Sequence, residues 1–230
     1  MSKIFIVPTP IGNLADITIR AIETLKSVDR IYAEDTRTTQ KILSHYNIEK
    51  KPFSYHQHNE HKLVDHLIEE IKTKQLKIAL VSDAGTPGIS DPGFLLTSKA
   101  KKIGIDVFCL PGPTALIPAL VQSGFATDEF FFFGFLPHKK GRKKKITQLL
   151  EKDSTIILYE SPHRLLKLLK ELFEYDKKNR RISVSRELTK IYEETIQGSA
   201  QEIISYFQNK PVKGEIVVVI DKIDQKKSNG

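Results

Sequence analysis

Residues 80–94, LVSDAGTPGISDPGF, indicate both the fold class and the position of a binding loop. They place three glycines, two prolines and two aspartates directly after the apolar run KIALV at 77–81. Glycine and proline weaken regular structure, so this density indicates positive φ angles or close approach of the backbone to a ligand. The spacing matches neither the Walker phosphate loop nor G-x-G-x-x-G. Ligand binding is favoured over a merely tight turn, because strand-to-helix turns usually need only about two to six residues.

The segments around this loop alternate between strand and helix patterns. Ile19, Ile22, Leu25 and Val28 form a helical stripe, and short β-branched runs occupy 3–7, 30–34, 77–81 and 105–110. A second set follows, with strand-like runs at 130–134, 154–160, 181–187 and 214–220. Such alternation predicts an α/β fold, and for the first set it predicts a mostly parallel sheet with helices on both faces.

The pattern restarts near residues 120–127, so the chain is expected to form two α/β domains. We predict an N-terminal domain at 1–123, a C-terminal domain at 124–224 and a frayed tail at 225–230. No long Ser/Pro linker separates them, and the two domains are therefore expected to pack closely and share a cleft.

Composition limits the class of protein. The formal net charge of +8 and pI of about 9.3 favour a polyanionic partner. The single cysteine, Cys109, excludes an internal disulfide and any multi-cysteine zinc site, and its apolar surroundings predict a buried structural thiol. No apolar run approaches the ~18 residues of a membrane span, and MSKIFIVPTP is too short for a signal peptide, so we expect a cytosolic protein.

Two further polar or Gly/Pro-rich segments follow predicted strands. CLPGPTALIPAL at 109–120 places Thr114 near a helix start, where it could cap the helix or face a ligand. AEDTRTTQ at 33–40 places Glu34, Asp35 and Arg37 just past a strand. Capping of the next helix by Asp35 and contact of these charges with a polar substrate both remain open.

The histidine-rich segment HQHNEH at 56–61 is the best metal candidate of the chain. It imitates the H-x-H-x-D-H of binuclear zinc hydrolases, but Glu60 stands in the place of the aspartate. Histidines on a polar loop are more often solvated or directed toward substrate than bound to metal. We therefore predict no metal site.

PHKKGRKKK at 137–145 concentrates positive charge, with six basic side chains in residues 139–145. A charge run is usually a solvated face, but phosphates of a nucleic acid would also be natural partners. With Arg37, the predicted RNA-binding residues are Lys139, Lys140, Arg142, Lys143, Lys144 and Lys145.

Together these motifs, in this order, resemble the tetrapyrrole methylase superfamily of class III S-adenosylmethionine methyltransferases, and more closely its rRNA-methylating branch. The resemblance runs from about residue 4 to residue 220 and is carried by VPTPIGNLADITIRA, AEDTRTT, SYHQHNE, VSDAGTPGISDPG, LPGPTA, GFLPHKKGRK, YESPHR and SRELTK. The tetrapyrrole enzymes usually carry G-x-G-P-G-D after the first strand, whereas this chain has PTPIGNL with only Gly12, which argues against a porphyrin-type substrate.

The resemblance implies a homodimer that binds S-adenosylmethionine between its two domains and acts on 16S rRNA in the small ribosomal subunit. The implied reaction is 2′-O-methylation of a cytidine ribose in the decoding region. The cofactor contacts it carries over are Asp83, Gly85, Thr86, Pro87, Gly88, Ile89, Thr114 and Ala115, and more loosely Tyr159 and Gly214.

A ribose hydroxyl is a poor nucleophile at neutral pH, so a base or hydrogen-bond acceptor is expected within reach. We hypothesise that Asp35, His56 or Glu60 fills this role, because they cluster after strand ends. Three alternatives stay open: a small-molecule, tetrapyrrole-like methyltransferase, a histidine-cluster metallohydrolase, and a non-catalytic RNA-binding protein.

Overall fold

The computed structural model describes residues 1–223 and divides the chain into two compact units, Met1–Thr114 and a second that begins at Ala115. The predicted tail at 225–230 lies outside the described residues. Each unit is an α/β structure with its own sheet and core. The prediction of two α/β domains is confirmed.

The first unit is a five-stranded parallel sheet in the order β3-β2-β4-β1-β5. Its strands are β1 (Lys3–Ile6), β2 (Arg30–Ala33), β3 (Phe53–Ser54), β4 (Lys77–Val81) and β5 (Asp106–Cys109). Its helices are α1 (Ile19–Ser27), α2 (Thr36–His45), α3 (Glu60–Thr73) and α4 (Phe94–Lys102). The two-residue β3 was not predicted, because so short a run carries no periodicity.

Helices pack on both faces of this sheet, against apolar side chains that alternate between the faces along each strand. Ile78 and Leu80 of β4 pack in one cluster with α3 and α4, whereas Ala79 and Val81 pack in a second cluster with α1 and α2. A strand buried on both faces reads as a continuous apolar run, which is why KIALV was recognisable. The predicted helices on both faces are confirmed.

The connections that leave β1 and β4 run in opposite directions along the sheet. β1 leads to β2 on the far side of β4, and β4 leads to β5 on the far side of β1. In open α/β sheets, ligands bind outside the carboxyl ends of the strands at such a switch point. The loop at 82–93 therefore begins at the position where the topology favours a ligand.

Cys109 corrects one expectation. It lies on β5, the edge strand of the sheet, and it is exposed rather than buried. The apolar run at 105–110 forms a strand as predicted, but an edge strand has a neighbour on one side only.

The second unit has a mixed sheet in the order β6-β7-β10-β8-β9. Its strands are β6 (Phe130–Phe135), β7 (Thr155–Glu160), β8 (Ile182–Arg186), β9 (Glu194–Gly198) and β10 (Ile216–Ile220). β6 and β7 are parallel, and the other pairs are antiparallel. The helices are α5 (Leu116–Gln122), α6 (Arg142–Leu150), α7 (Leu165–Tyr175) and α8 (Ala200–Gln208), and α6, α7 and α8 share one apolar core with the sheet.

The division between the units precedes the predicted boundary at 123/124, because α5 packs with the second unit. α5 contacts β10, and its end is tied to β9. Gln197 donates its side-chain amide to the carbonyl oxygens of Gln122 and Ser123, at 3.3 and 3.0 Å, and Thr195 donates its hydroxyl to the Gln122 side chain at 3.0 Å. The sequence change near residue 124 therefore marks the end of α5, not the change of unit.

Within residues 1–223, none of the helices has the length and apolar character that a bilayer crossing requires.

Candidate active site

The loops that follow β1, β4 and β5 are tied together at the carboxyl edge of the first sheet. Thr9 and Gly85 exchange two backbone hydrogen bonds, each of 2.9 Å, and the Thr9 hydroxyl donates to the carbonyl of Ser82 at 2.9 Å. The Thr86 hydroxyl donates to the carbonyl of Pro113 at 3.1 Å. The first, fourth and fifth strands thus end in one cross-linked set of turns, which we name the three-loop wall (residues 7–12, 82–89 and 110–114).

Glycines in this wall are needed for conformation and for packing. Gly85 and Gly88 have φ angles of +83° and +85°, which side chains rarely adopt. Gly112 has no such angle, but a Cβ atom there would lie 2.7 Å from Cβ of Pro8. Positive φ angles thus explain the glycines of the β4 loop, and close packing of two loops explains the glycine of LPGP.

The wall suits a ligand without phosphates. Residues 80–94 contain no lysine or arginine, so this loop has no cation for a phosphate. It offers backbone amide and carbonyl groups beside the exposed apolar side chains of Ile89 and Phe94. Such a set of groups fits the neutral adenosine of S-adenosylmethionine and the methylene groups beside its sulfonium. The predicted cofactor contacts Gly85, Thr86, Pro87, Gly88, Ile89 and Thr114 all lie in or beside this wall, and Ala115 is the N-cap residue of α5.

Asp83 starts the same loop, but its carboxylate is directed toward the neighbouring strand β2. Its Oδ1 accepts the backbone N–H of Asp35 at 2.9 Å. Burial raises the pKa of Asp83, and the Asp35 N–H bond lowers it only in part. Asp83 therefore connects the three-loop wall with the groups that follow β2.

Polar side chains that follow β2, β3 and β4 form what we name the polar cluster: Glu34, Tyr55, His56, Glu60 and Asp83. Burial, and next to it the charge of Asp83, raises the pKa of Glu34, while a hydrogen bond with the Asp83 backbone and the charge of His56 act in the opposite direction. Burial raises the pKa of the Tyr55 hydroxyl too, and the Glu60 carboxyl adds to this rise. Because β3, β2 and β4 are neighbours in a parallel sheet, their carboxyl ends bring these residues to one edge.

Three buried atoms of the polar cluster have no hydrogen-bond partner among the described residues: Tyr55 Oη, His56 Nδ1 and Glu60 Oε2. The backbone around them is ordered, since His56 N–H donates to Asn59 Oδ1 at 2.8 Å. Buried polar groups are normally satisfied, so such a concentration indicates a site for a polar ligand or bound water. Within residues 1–223, no group of three or more His, Cys, Asp and Glu side chains could hold a metal ion.

Asp35 corrects the list of candidate bases. Its carboxylate caps α2 by accepting the Arg37 N–H at 2.8 Å, and it pairs with the Arg37 guanidinium at 2.8 Å. The Arg37 hydrogen bonds lower the pKa of Asp35 to about 2. So weak a base suits helix capping. Of the two alternatives, capping of α2 and contact with a polar substrate, the structure therefore favours capping. Arg37 stays exposed.

Arg142 corrects the predicted RNA-binding set. Its side chain is 3% exposed and donates to Glu171 at 2.8 Å and to Glu160 at 3.3 Å. Glu160 is itself fully buried and also pairs with Arg164 at 2.7 Å. The guanidinium of Arg142 therefore belongs to a buried ion-pair network and is not available to a phosphate.

The lysines around Arg142 differ in their contacts with aromatic rings. Lys139, Lys140 and Lys144 are exposed. Lys143 lies 4.9 Å from the ring of Tyr175, and Lys145 lies 5.0 Å from the ring of Phe133. Cation–π contacts orient these two ammonium groups but leave them their charge.

Tyr159 and Gly214 belong to the second unit. Tyr159 packs edge-on against Phe132 and Phe135, with centroid distances of 5.0 and 5.7 Å. Gly214 has a φ of +87°, and a Cβ there would lie 2.2 Å from Oε1 of Glu187. The same Glu187 oxygen accepts from Lys190 at 2.9 Å. The glycine is thus explained by its conformation and by this contact.

Sequence reasoning did not single out Glu34 as a base or Tyr55 at all. Glu34 reads as a solvated charge, because the neighbours that affect it in the fold, Asp83 and His56, are distant in sequence. Tyr55 follows a strand of two residues, which has no detectable pattern. The available signal was position, since both directly follow strands of a parallel sheet.

A family model described as Tetrapyrrole (Corrin/Porphyrin) Methylases matches residues 3–204. Curated relatives named Ribosomal RNA small subunit methyltransferase I are 48% identical in Synechocystis, covering 96% of this chain and 79% of the relative, and 44% identical in Thermotoga maritima, covering 96% and 98%.

Solved structures agree on the fold. A diphthine synthase aligns with a TM-score of 0.72 at 14% identity, covering 96% of this chain and 90% of that one. A cobalt precorrin-4 methyltransferase of cobalamin biosynthesis aligns with a TM-score of 0.69 at 15% identity, covering 96% and 95%. With a family model matched over most of its length and full-length relatives well above 30% identity, this chain belongs to the tetrapyrrole methylase family.

Proposed function

We propose that this chain transfers a methyl group from S-adenosylmethionine to the 2′-hydroxyl of a cytidine ribose in the decoding region of 16S rRNA. The observation that carries the proposal is the 44–48% identity, over nearly the whole chain, to proteins named for methylation of small-subunit rRNA. The ribose hydroxyl and the cytidine are the finer expectation from the motifs. S-adenosylmethionine is the methyl donor of the family.

The arrangement of groups supports O-methylation. The three-loop wall would hold the cofactor, which supplies an electrophilic methyl group when bound. The polar cluster lies next to it, because Asp83 belongs to the β4 loop and also contacts the residue after Glu34. A hydroxyl acceptor must lose a proton, so proton-accepting side chains beside the cofactor loop are the groups that this reaction needs.

Separate basic surfaces support an RNA substrate. In the first unit, a groove of about 510 Å³ is lined by Arg37, Lys41 and Lys51 together with Thr36, Gln40, Ser44 and Pro52. In the second unit, Lys139, Lys140 and Lys144 are exposed. Clustered cations release counterions from a phosphate backbone, and this term dominates non-specific affinity for nucleic acids.

A homodimer stays a prediction from the family resemblance. It is consistent with the position of β5 as an edge strand among residues 1–223, where Phe108 is 40% exposed and stacks on Phe5. Light scattering after size exclusion would measure the mass in solution. A cytoplasmic location is the corresponding proposal, since that is where bacterial ribosomal RNA is found.

The test is mapping of ribose methylation in 16S rRNA, in cells that lack the gene and in the same cells complemented with it. A single cytidine 2′-O-methyl group in the decoding region should disappear and return. The purified protein should restore it in small subunits or in free rRNA from the deletion strain. Unchanged ribose methylation, or methylation of a tetrapyrrole instead, would contradict the proposal.

A further inference from the structure

We propose that Glu34 is the catalytic base of this enzyme and that Asp83 positions it. In this role Glu34 receives the proton of the substrate hydroxyl while the hydroxyl is methylated. The inference rests on the proposed function and adds to it the residue that makes the acceptor reactive.

The sheet places Glu34 and Asp83 at the ends of two neighbouring strands. Ala33 of β2 is paired with Val81 of β4, so Glu34 and Asp83 follow directly neighbouring strand ends. The Asp83 carboxylate holds the backbone at Asp35, one residue past Glu34, at 2.9 Å. Glu34 can therefore move little relative to the β4 loop, which continues into the three-loop wall.

The electrostatic setting distinguishes Glu34 from its neighbour Asp35. Burial and the like charge of Asp83 raise the pKa of Glu34, whereas Arg37 lowers that of Asp35 to about 2. A carboxylate with a raised pKa holds a transferred proton more firmly, which is the property of a general base near neutral pH. The charge of His56 acts on Glu34 in the opposite direction to burial and Asp83.

A second, independent observation indicates that the cluster receives a ligand. Tyr55 is fully buried, and its hydroxyl lies beside the Glu60 carboxyl and the backbone of Leu96, but no partner among the described residues is within 3.5 Å in hydrogen-bonding geometry. Of the five buried side-chain atoms without a partner in that part of the chain, three belong to Tyr55, His56 and Glu60. A ribose hydroxyl, with the water that accompanies it, would supply the missing partners.

The substrate oxygen forms a bond to the methyl carbon as the carbon–sulfur bond breaks, and the electron pair of that bond stays on sulfur. The hydroxyl proton passes to the Glu34 carboxylate, which later releases it to solvent. Asp83 contacts no reacting atom in this scheme, and it acts by holding Glu34 in place and by keeping its proton affinity high.

The first experiment measures the carboxyl groups without any reaction. Carbon-13 NMR of the full-length protein, labelled in its glutamate side chains, should show one resonance that titrates above the ordinary glutamate range and is lost in Glu34→Gln. Asp83→Asn should move that titration down toward the ordinary range. An ordinary pKa for Glu34, or one that Asp83→Asn does not change, would overturn the proposal.

The second experiment measures single-turnover methylation of 16S rRNA at saturating cofactor. Glu34→Gln should lower the rate by about 10²-fold or more, with dissociation constants for S-adenosylmethionine and RNA within about twofold of wild type. Glu34→Asp should recover part of the rate, and Glu69→Gln, on the exposed face of α3, should leave it unchanged. In Asp83→Asn, the rising limb of the pH–rate profile should move to lower pH, which a purely structural role would not produce.

The outcomes separate the two proposals. A wild-type protein that methylates RNA while Glu34→Gln keeps more than about a third of the rate overturns the role of Glu34 and leaves the function standing. A wild-type protein that does not methylate RNA refutes the proposed function, and with it the reaction assigned to Glu34, whatever the titration shows.

Discussion

The carboxylate of Asp83 accepts the backbone N–H of Asp35 at 2.9 Å and so joins the ends of β4 and β2. Two residues further along the same loop, Gly85 is bound in both directions to Thr9 after β1. One loop therefore links the polar cluster on one side to the three-loop wall on the other. A substitution that displaces it should affect cofactor binding and proton transfer together, whereas substitutions at either side should separate the two.

Glu34→Gln should make the protein more stable at neutral pH while it removes activity. Burial and Asp83 raise the pKa of Glu34 in the folded state. The stabilising contribution of such a group is complete below its unfolded pKa and is lost as the pH rises through the folded pKa. Glutamine should thus raise the midpoint of thermal unfolding at pH 7 by about 1–3 °C and leave it nearly unchanged at pH 4. Circular dichroism melts at both pH values would measure this, and a lower midpoint at pH 7 would contradict the burial of the charge.

Gly85→Ala should weaken binding of S-adenosylmethionine. The residue has a φ of +83°, and an added Cβ would meet only ordinary contacts, the nearest being Ile11 Cγ2 at 3.5 Å. The cost is therefore conformational, about 1 kcal/mol, and relief of that strain would disturb the paired hydrogen bonds to Thr9. Calorimetry should show an affinity lowered by about tenfold.

Gly104→Ala is the matched control for this substitution. Gly104 has a φ of +77° with nothing within 4 Å of an added Cβ, and it lies before β5, at the opposite edge of the sheet. It should lose similar stability and keep full affinity for the cofactor. Equal loss of affinity in both variants would show that the effect comes from global stability and not from the three-loop wall.

Much of the fold was predictable because strands and helices have recognisable local patterns of apolar residues. KIALV at β4 and the stripe of Ile19, Ile22 and Leu25 in α1 are examples. The antiparallel pairing of β8 and β9 was not predicted, because register and direction depend on contacts between distant residues.

The site was predictable in its location and not in its charges. Clustering after strand ends pointed to Asp35, His56 and Glu60, and the family resemblance pointed to Asp83. Whether a carboxylate caps a helix, as Asp35 does, or is half-buried near a second carboxylate, as Glu34 is, depends on which residues lie around it in the fold. Arg142 shows the same limit, since a run of cations gives no sign that one of them pairs with Glu160 in the interior.

Arg142→Met should destabilise the second unit without acting through RNA. The guanidinium is buried and pairs with Glu160, whose carboxylate is fully buried as well. Removing one member leaves an incompletely paired charge in the interior, at a cost of about 3 kcal/mol, less where Arg164 compensates. Urea unfolding would measure this cost. The control is Lys144→Met on the same helix, which removes an exposed cation and should cost less than about 0.5 kcal/mol. Similar losses of stability in the two variants would argue against the buried network.

Replacing Lys139, Lys140 and Lys144 together by glutamine should weaken RNA binding and spare the fold. These three side chains are exposed, whereas Lys143 and Lys145 contact aromatic rings. Each lost phosphate contact removes about 0.7–0.9 from the slope of log affinity against log salt, so the slope should fall by about 2.

The control for charge alone replaces Lys26, Lys72 and Lys102, which are exposed on helices of the first unit. It makes the same change in net charge and should leave both affinity and slope close to wild type. Filter binding of 16S rRNA fragments from 50 to 200 mM salt would compare the variants. An equal loss in the two triple variants would mean that RNA responds to the overall charge of +8 and not to a docking surface at 139–144. If only the variant at Lys139, Lys140 and Lys144 loses RNA affinity, and it keeps its cofactor affinity, RNA docks on the second unit. These three lysines would then make contacts with RNA that the exposed lysines of the first unit do not make.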